Sequence, residues 1–456
     1  MVFRYVFNLW IGLGLAGLAV CALPPQAQAQ GVSIIRDAET EQLLREYVTP
    51  IFKAAGIRND AVKIILVGDK SFNAFVADGQ KIFVNVGALM EAKTPNEIIG
   101  VLAHESGHIA GGHLVQMHQE LARAQVMSVA GMLMSAGAVY GSSHSSSVGA
   151  DGAGTMGMML GPQELVRRSL LSYQRIQEQA ADRAAVTYLD SAHESAAGLL
   201  STLQRFQNEA LFRSAALDPY LLTHPLPAER LSNLETIAHQ SPNFNVKDSP
   251  ALQSRHDLMR AKLTAFLSDT SEIARRYPVS DTSLAARYAR AITAYRFGRV
   301  EDALHQIDAL IQAQPQNPYF HELKGQALLE AGRAREAIPQ LEQAVAGAPN
   351  GTPIRVMLGH ALVAEGHNMD AAIKQLENAT QHDSDSAEAF EYLAMAYAQK
   401  GNLAGAQLAS AQRFFATGDY VEARTQATRA QARFKTGSPG WLKADDILNY
   451  RPPKLD

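Results

Sequence analysis

The residues able to do chemistry stand together at His104-Glu105-Ser106-Gly107-His108. On a helix, side chains four apart are neighbours, so His104 and His108 project from one face. Two imidazoles placed that way can share one Zn²⁺, and Glu105 lies beside it. Zinc lowers the pKa of a bound water from about 15.7 toward about 7. A nearby carboxylate can accept the proton of that water and later pass it to a leaving amine. The spacing points to a zinc hydrolase. The bland alternative is two surface histidines on an ordinary helix.

A catalytic zinc needs a third protein ligand and an open position. One known arrangement puts another histidine ten residues after His104. That position is Leu114 and His113 is one residue off, so this arrangement is rejected, although Gly111 matches its glycine. The other arrangement takes a glutamate from a second helix. Glu178-Gln179-Ala180-Ala181-Asp182 offers Glu178 and Asp182 on one face. Glu178 can bind zinc while Asp182 accepts a hydrogen bond from a ligand histidine and fixes its ring. Alone, this segment is a charged helix face; together, the two segments are specific. His113 and His118 are expected to be packed or solvated. His144 is expected to face solvent, and His360, His367 and His382 to line a surface.

These groups need helices to hold them. Thr94-Pro95-Asn96-Glu97 announces one, with Thr94 as cap, Pro95 in the first turn and Glu97 completing a capping box. It should run to about Gly111. A second helix is expected from Tyr173 to Leu189. Upstream, Glu41 to Ala55 has helical spacing and Val62 to Val67 is a β-branched strand. Ser71 to Val76 and Lys81 to Val86 flank Ala77-Asp78-Gly79-Gln80, a hairpin signal. Residues 128–162, rich in Gly, Ser, Ala and Met, suggest a flexible loop, a mobile lid or a membrane-touching loop. Val126 to Tyr140 is too short and Gly-rich to span a bilayer comfortably.

The C-terminal part is repetitive. Gly298, Gly332, Gly366 and Gly401 recur at intervals of 34, 34 and 35 residues. Ala303, Ala337, Ala371 and Ala406 each follow five residues later. A period of about 34 with small residues in phase is the tetratricopeptide (TPR) pattern. Small residues let paired helices approach, and stacking buries faces that one pair leaves open. Gly418 and Ala423 repeat the phase after only half a unit, which suggests an irregular cap.

The chain has 456 residues, 47% hydrophobic and 19% charged, with a formal net charge of -4, which fits a globular protein of more than one domain and no nucleic-acid partner. Arg4, the apolar run Leu9 to Leu23 and Ala27-Gln28-Ala29 form an export-signal pattern with cleavage before Gln30. The run is short and Gly-containing for a retained anchor. Cys21 is the single cysteine, and its surroundings faintly resemble a lipoprotein site with a bulky Val20. Cleavage after Ala29 would leave a mature chain without cysteine, so packing must stabilise it.

The two motifs, about 70 residues apart, resemble the gluzincin family that contains HtpX and the CaaX prenyl proteases. Asn73-Ala74-Phe75 before a hairpin and His224-Pro225-Leu226-Pro227-Ala228-Glu229-Arg230 resemble that family too. With the export signal and the TPR array, the chain resembles the BepA-like periplasmic β-barrel assembly-enhancing proteases. The resemblance implies an α+β gluzincin metalloprotease domain followed by an all-α TPR solenoid. The expected boundaries are 1–29 signal, 30–245 protease, 246–282 linker and helix, 283–445 TPR and 446–456 tail. It implies one zinc per chain on His104, His108 and Glu178, with Glu105 as general base and Asp182 in support. It implies that His224 can take the remaining zinc position and hold the enzyme inactive; transition-state stabilisation and loop packing are alternatives. Substrate would add a strand along Asn73, Ala74 and Phe75, and Arg230 would anchor the His-Pro loop or face substrate. Implied partners are unfolded or stalled proteins, and outer-membrane β-barrel proteins with their assembly machinery at the TPR surface, leaving peripheral membrane association open. The rivals are a TPR adaptor or chaperone with a latent or inactive protease domain, and another zinc hydrolase such as a cell-wall amidase.

Overall fold

A computed structural model describes residues 33–78, 80–123, 152–212, 224–225 and 228–452, with backbone alone for 152–170 and 209–212. The export segment with Cys21, residues 124–151 including His144, Gly79 of the hairpin, and Leu226-Pro227 lie outside them. The described residues form two compact units, one of 33–35 and 43–257, the other of 36–42 and 258–452. No helix among them is long and apolar enough to cross a membrane.

The first unit is built on a four-stranded sheet of β1 (Ile34–Ile35), β2 (Lys63–Val67), β3 (Ala74–Ala77) and β4 (Lys81–Asn85), in the order β1-β2-β4-β3. The β-branched run of β2 is central, antiparallel to β1 and parallel to β4. β3 and β4 form the expected antiparallel hairpin, with Phe75 and Phe83 in register and their rings stacked 5.1 Å apart. Asp78 takes a positive φ of 54° at its turn, a conformation Asp tolerates. β3 is an outer strand of the sheet, so among the described residues one of its edges has no strand beside it.

Helix α1 (Ala38–Ala55) precedes β2, and the short α2 (Val86–Glu91) follows β4. Helix α3 (Pro95–Ala110) carries the first motif and is buried from Pro95 to Gly107. The capping box forms only in part. Thr94 makes no side-chain cap bond. Glu97 accepts from the Lys93 N–H at 3.1 Å, and Asp248 accepts from the Asn96 N–H at 3.1 Å, so a distant carboxylate serves the helix start.

Residues 113–123 are also helical. Helix α4 (Gly152–Ser191) carries the second motif and begins well before the expected Tyr173. The Gly- and Met-rich start has no polar–apolar periodicity to announce a helix. Residues 152–162 are therefore helical rather than loop, while 128–151 lie outside the described residues. Helices α5 (Ala197–Phe212) and α6 (Ala228–Gln240) complete this part.

Helices α7 (Pro250–Leu267) and α8 (Thr270–Arg276) occupy the stretch expected as linker and helix. Four helix pairs follow: α9 (Leu284–Phe297) with α10 (Val300–Ala313), α11 (Pro318–Glu330) with α12 (Ala334–Gly347), α13 (Thr352–Glu365) with α14 (Met369–His382), and α15 (Ala387–Gln399) with α16 (Leu403–Ala416). A Cβ at Gly325 or Gly359 would meet Leu341 or Leu376 at 2.5 Å, which is why small residues recur there. The final pair, α17 (Tyr420–Gln431) and α18 (Pro439–Asn449), closes the array over a core of Leu408, Ala411, Ala423, Ala427, Ala430, Ala444 and Ile447. The expected irregular cap is thus a further helix pair, and its last helix continues past residue 445.

This second unit also holds the start of α1. Asp37 accepts from the Thr40 N–H at 3.0 Å, capping the helix. Lys262, 2% exposed, reaches Asp37 at 2.6 Å, Glu322 at 3.0 Å and Glu39 at 3.4 Å. Burial pushes the Glu39 carboxyl up to about 7, against the pull of Lys262.

Candidate metal centre

Helices α3 and α4 pack closely where their motifs meet. A Cβ on Gly107 would stand 3.0 Å from the Ala181 Cα and carbonyl oxygen, so the bare glycine sets the approach. On α3 the Nε2 atoms of His104 and His108 are 3.1 Å apart. Glu178 places Oε2 3.4 Å from His104 Nε2 and Oε1 3.4 Å from His108 Nε2. His224, on the stretch before α6, brings Nδ1 to 3.1 and 3.2 Å from the two Glu178 oxygens. One donor atom from each of His104, His108, Glu178 and His224 lies within 4.8 Å of all the others.

A tetrahedral zinc with bonds of about 2.0–2.1 Å holds its donors about 3.3 Å apart. The separations of 3.1–3.4 Å among His104, His108 and Glu178 fit that ion. The donor set of imidazoles and one carboxylate is also one that zinc accepts. Both Glu105 oxygens are buried without a hydrogen-bond partner among the described residues, and Oε1 is 3.5 Å from His224 Nε2. A buried carboxylate lacking protein donors suits a group that handles protons of water or substrate.

The charges explain how the cluster holds together. Burial disfavours a charged His104, but Asp182 and Glu178 outweigh it and push the imidazole up to about 9. Asp182 Oδ1 lies 3.0 Å from His104 Nδ1. Burial pushes His108 down to about 4. Glu178 is opposed by burial yet held well below the usual carboxylate range by His224, His104 and His108. Burial likewise opposes Asp182, and Arg230 and His104 hold it at about 2. Burial raises Glu105. A cation bound by these donors displaces the protons they share.

The sequence offers Arg230 two roles, loop anchor or substrate contact. It is 1% exposed. Its Nε and Nη2 donate to Asp182 at 2.6 and 2.9 Å, and its Nη1 approaches Glu178 Oε2 at 2.8 Å and donates to the Pro225 carbonyl at 3.2 Å. These contacts tie Arg230 to both carboxylates and to the backbone of the His-Pro loop. Asn73 is buried, with its carbonyl accepting from the Asn85 N–H at 2.9 Å. Ala74 and Phe75 open β3, and the Ala74 oxygen lies 3.3 Å from His224 Nε2. His224 therefore stands between the edge strand and the donor cluster. His113, expected to be merely packed or solvated, places its Nδ1 3.0 Å from His108 Nδ1. Only its nearness in sequence to the motif hinted at this.

Residues 37–238 match the model of peptidase family M48. They are a zinc metallopeptidase domain of that family. Residues 288–352 and 356–413 match a tetratricopeptide repeat model, so the metallopeptidase carries TPR repeats in its second unit. The chain is similar to the β-barrel assembly-enhancing protease of Yersinia pestis, at 26% identity over 411 residues, covering 87% of this chain and 81% of the relative. Its counterpart in Escherichia coli K12 is 23% identical over 409 residues, with the same coverage. A putative protein of that description from Vibrio cholerae is 25% identical over 295 residues, covering 61% of this chain and 57% of the relative. The metallopeptidase is thus a distant homologue of these proteins along most of its length.

Proposed function

We propose that this metallopeptidase is a zinc-dependent endopeptidase of the bacterial periplasm, acting in quality control of outer-membrane proteins. The observation that carries the catalytic reading is the buried convergence of His104, His108 and Glu178 at zinc-like separations, with Glu105 alongside. The periplasmic setting is supported by the export-signal pattern over residues 1–29 and by relatives described as β-barrel assembly-enhancing proteases. Unfolded or stalled proteins are the proposed substrates, and outer-membrane β-barrel proteins with their assembly machinery the proposed partners of the TPR unit.

His104, His108 and Glu178 would hold one zinc per chain, which when bound would acidify a water and polarise a carbonyl. Glu105, buried beside them, would accept a proton from water and return it to the leaving amine. Asp182 Oδ1, 3.0 Å from His104 Nδ1, attracts that edge of the ring and keeps Nε2 aimed at the cluster. Arg230 keeps Asp182 ionised and holds Glu178 in place. An extended peptide adds a strand at the outer edge of β3, beside Asn73, Ala74 and Phe75.

His224 supports a closed resting state. It sits among the donors and within 3.3 Å of the Ala74 carbonyl, so it competes for the remaining metal position and for the peptide-binding edge. The same observation favours the second reading, a TPR adaptor or chaperone whose protease is latent.

Zinc content and casein cleavage of the purified protein test these readings together. Glu105→Gln should retain zinc and lose about 10²–10⁴ in rate. His224→Ala should retain zinc and cleave faster than wild type. Zinc-loaded wild type and His224→Ala that both leave casein intact would overturn the endopeptidase reading. An unaltered rate in Glu105→Gln would remove its role as base, and an unaltered rate in His224→Ala would remove the closed state.

A further inference from the structure

We propose that His113 is a positioning residue for the metal, accepting a hydrogen bond from His108 Nδ1–H and so fixing the tautomer and ring direction of that ligand. The inference rests on the zinc reading of His104, His108 and Glu178. His108 turns its Nε2 toward His104 and Glu178, at 3.1 and 3.4 Å. A neutral imidazole has one N–H and one lone pair. If Nε2 gives its lone pair to the metal, the proton must sit on Nδ1, and Nδ1 needs an acceptor. The His113 Nδ1, 3.0 Å away, is that acceptor, so the His113 proton sits on Nε2.

The local chain is built to put the ring there. Helix α3 ends at Ala110, and Gly112 takes a positive φ of 62°, which turns the chain back. The His113 ring then covers Gly111, where a Cβ would lie 2.3 Å from His113 Nε2 and 2.6 Å from Cδ2. The two imidazoles meet edge-on, with centroids 5.0 Å apart and planes at 82°. His113 is 9% exposed, and its carbonyl accepts from Gln177 Nε2 at 3.4 Å, next to the ligand Glu178. The two histidine ligands are thus steered differently: His104 by the Asp182 carboxylate at 3.0 Å, His108 by a second imidazole.

The test is the zinc affinity of the full chain, by competition with a chelator, together with the visible spectrum of the Co²⁺-substituted protein. His113→Phe keeps the ring's shape and removes the acceptor; zinc binding should weaken about 10–100-fold and the cobalt spectrum should shift. His113→Asn places an amide oxygen near the lost Nδ1 and should recover most of the affinity. Gly111→Ala, which displaces the native ring, should behave like His113→Phe. Native affinity and spectrum in His113→Phe overturn the proposal. So does His113→Asn binding as weakly as a folded His113→Phe, since only packing would then matter. If His113→Phe does not fold, Gly111→Ala decides: weakened zinc supports the proposal and native zinc overturns it. A wild-type chain that binds no zinc sinks the zinc reading and this inference with it.

Discussion

Arg230 is ion-paired with two carboxylates of the centre. Its guanidinium is buried against Asp182 and Glu178. Arg230→Met removes the bidentate partner of buried Asp182 and one of the charges facing Glu178, and breaking such a buried pair costs about 3–5 kcal/mol. Denaturant unfolding of the zinc-free protein should show that loss, and added zinc should recover part of it by supplying positive charge to Glu178. His104 gives a pH signature at the same scale. Its imidazole rises from 6.5 to about 9 in the folded, zinc-free protein. The folded state then binds a proton that the unfolded state releases, so this stabilisation is full below pH 6.5 and lost as pH rises through 9. His108, held down at about 4, acts in the opposite sense and only below pH 6.5. The melting temperature of chelator-treated protein should fall between pH 6.5 and 9, and His104→Asn should remove that slope.

At the scale of elements, the centre depends on the spacing of α3 and α4. Each helix supplies part of the donor set, and Gly107 sets their approach over Ala181. Gly107→Val would force the helices apart by a few tenths of an ångström or more, and ligand constellations tolerate about 0.5 Å. Zinc affinity should drop about tenfold or more, while circular dichroism retains the helical signal. An unchanged affinity would show that α4 can slide without moving Glu178. Among the described strands β3 is outermost and lies beside His224, so the proposed peptide-binding edge and the position of the loop would meet at one strand.

At the scale of the whole molecule, a short stretch early in the chain joins the C-terminal unit. Residues 36–42 cluster with 258–452, and Asp37, Glu39 and Glu322 surround the buried Lys262. Three carboxylates facing one amine leave an excess of negative charge. Burial first, and then the charges of Asp37 and Glu322, raise Glu39 from 4.5 to about 7 against the pull of Lys262, so it holds its proton more tightly. Below pH 4.5 Glu39 is protonated in both states and costs nothing. As pH rises from 4.5 through 7 the unfolded chain releases the proton more readily, and stability falls by on the order of 1–3 kcal/mol. Glu39→Gln should match wild type near pH 4.5 and melt higher at pH 8. Equal melting temperatures at pH 8 would show that Glu39 ionises in the folded protein without strain.

Local periodicity carried much of this protein in its sequence. The i, i+4 spacing of His104 with His108 and of Glu178 with Asp182 needs only a helix to bring each pair together, and both segments are helical. The 34-residue period of the TPR unit was legible because each repeat packs mainly against its neighbours. The start of α4 was not, since Gly- and Met-rich sequence has no periodicity to display. Thr94 looked like a cap, but the bond at that helix start comes from Asp248, which no local rule could anticipate. The family resemblance already implied the entry of His224 among the donors, and the turn at Gly112 sets His113 onto His108 locally, whereas the burial of Arg230 on Asp182 and Glu178 was decided by tertiary structure. Helical spacing is set by neighbours along the chain, whereas which charges become buried together is set by how distant segments close on one another.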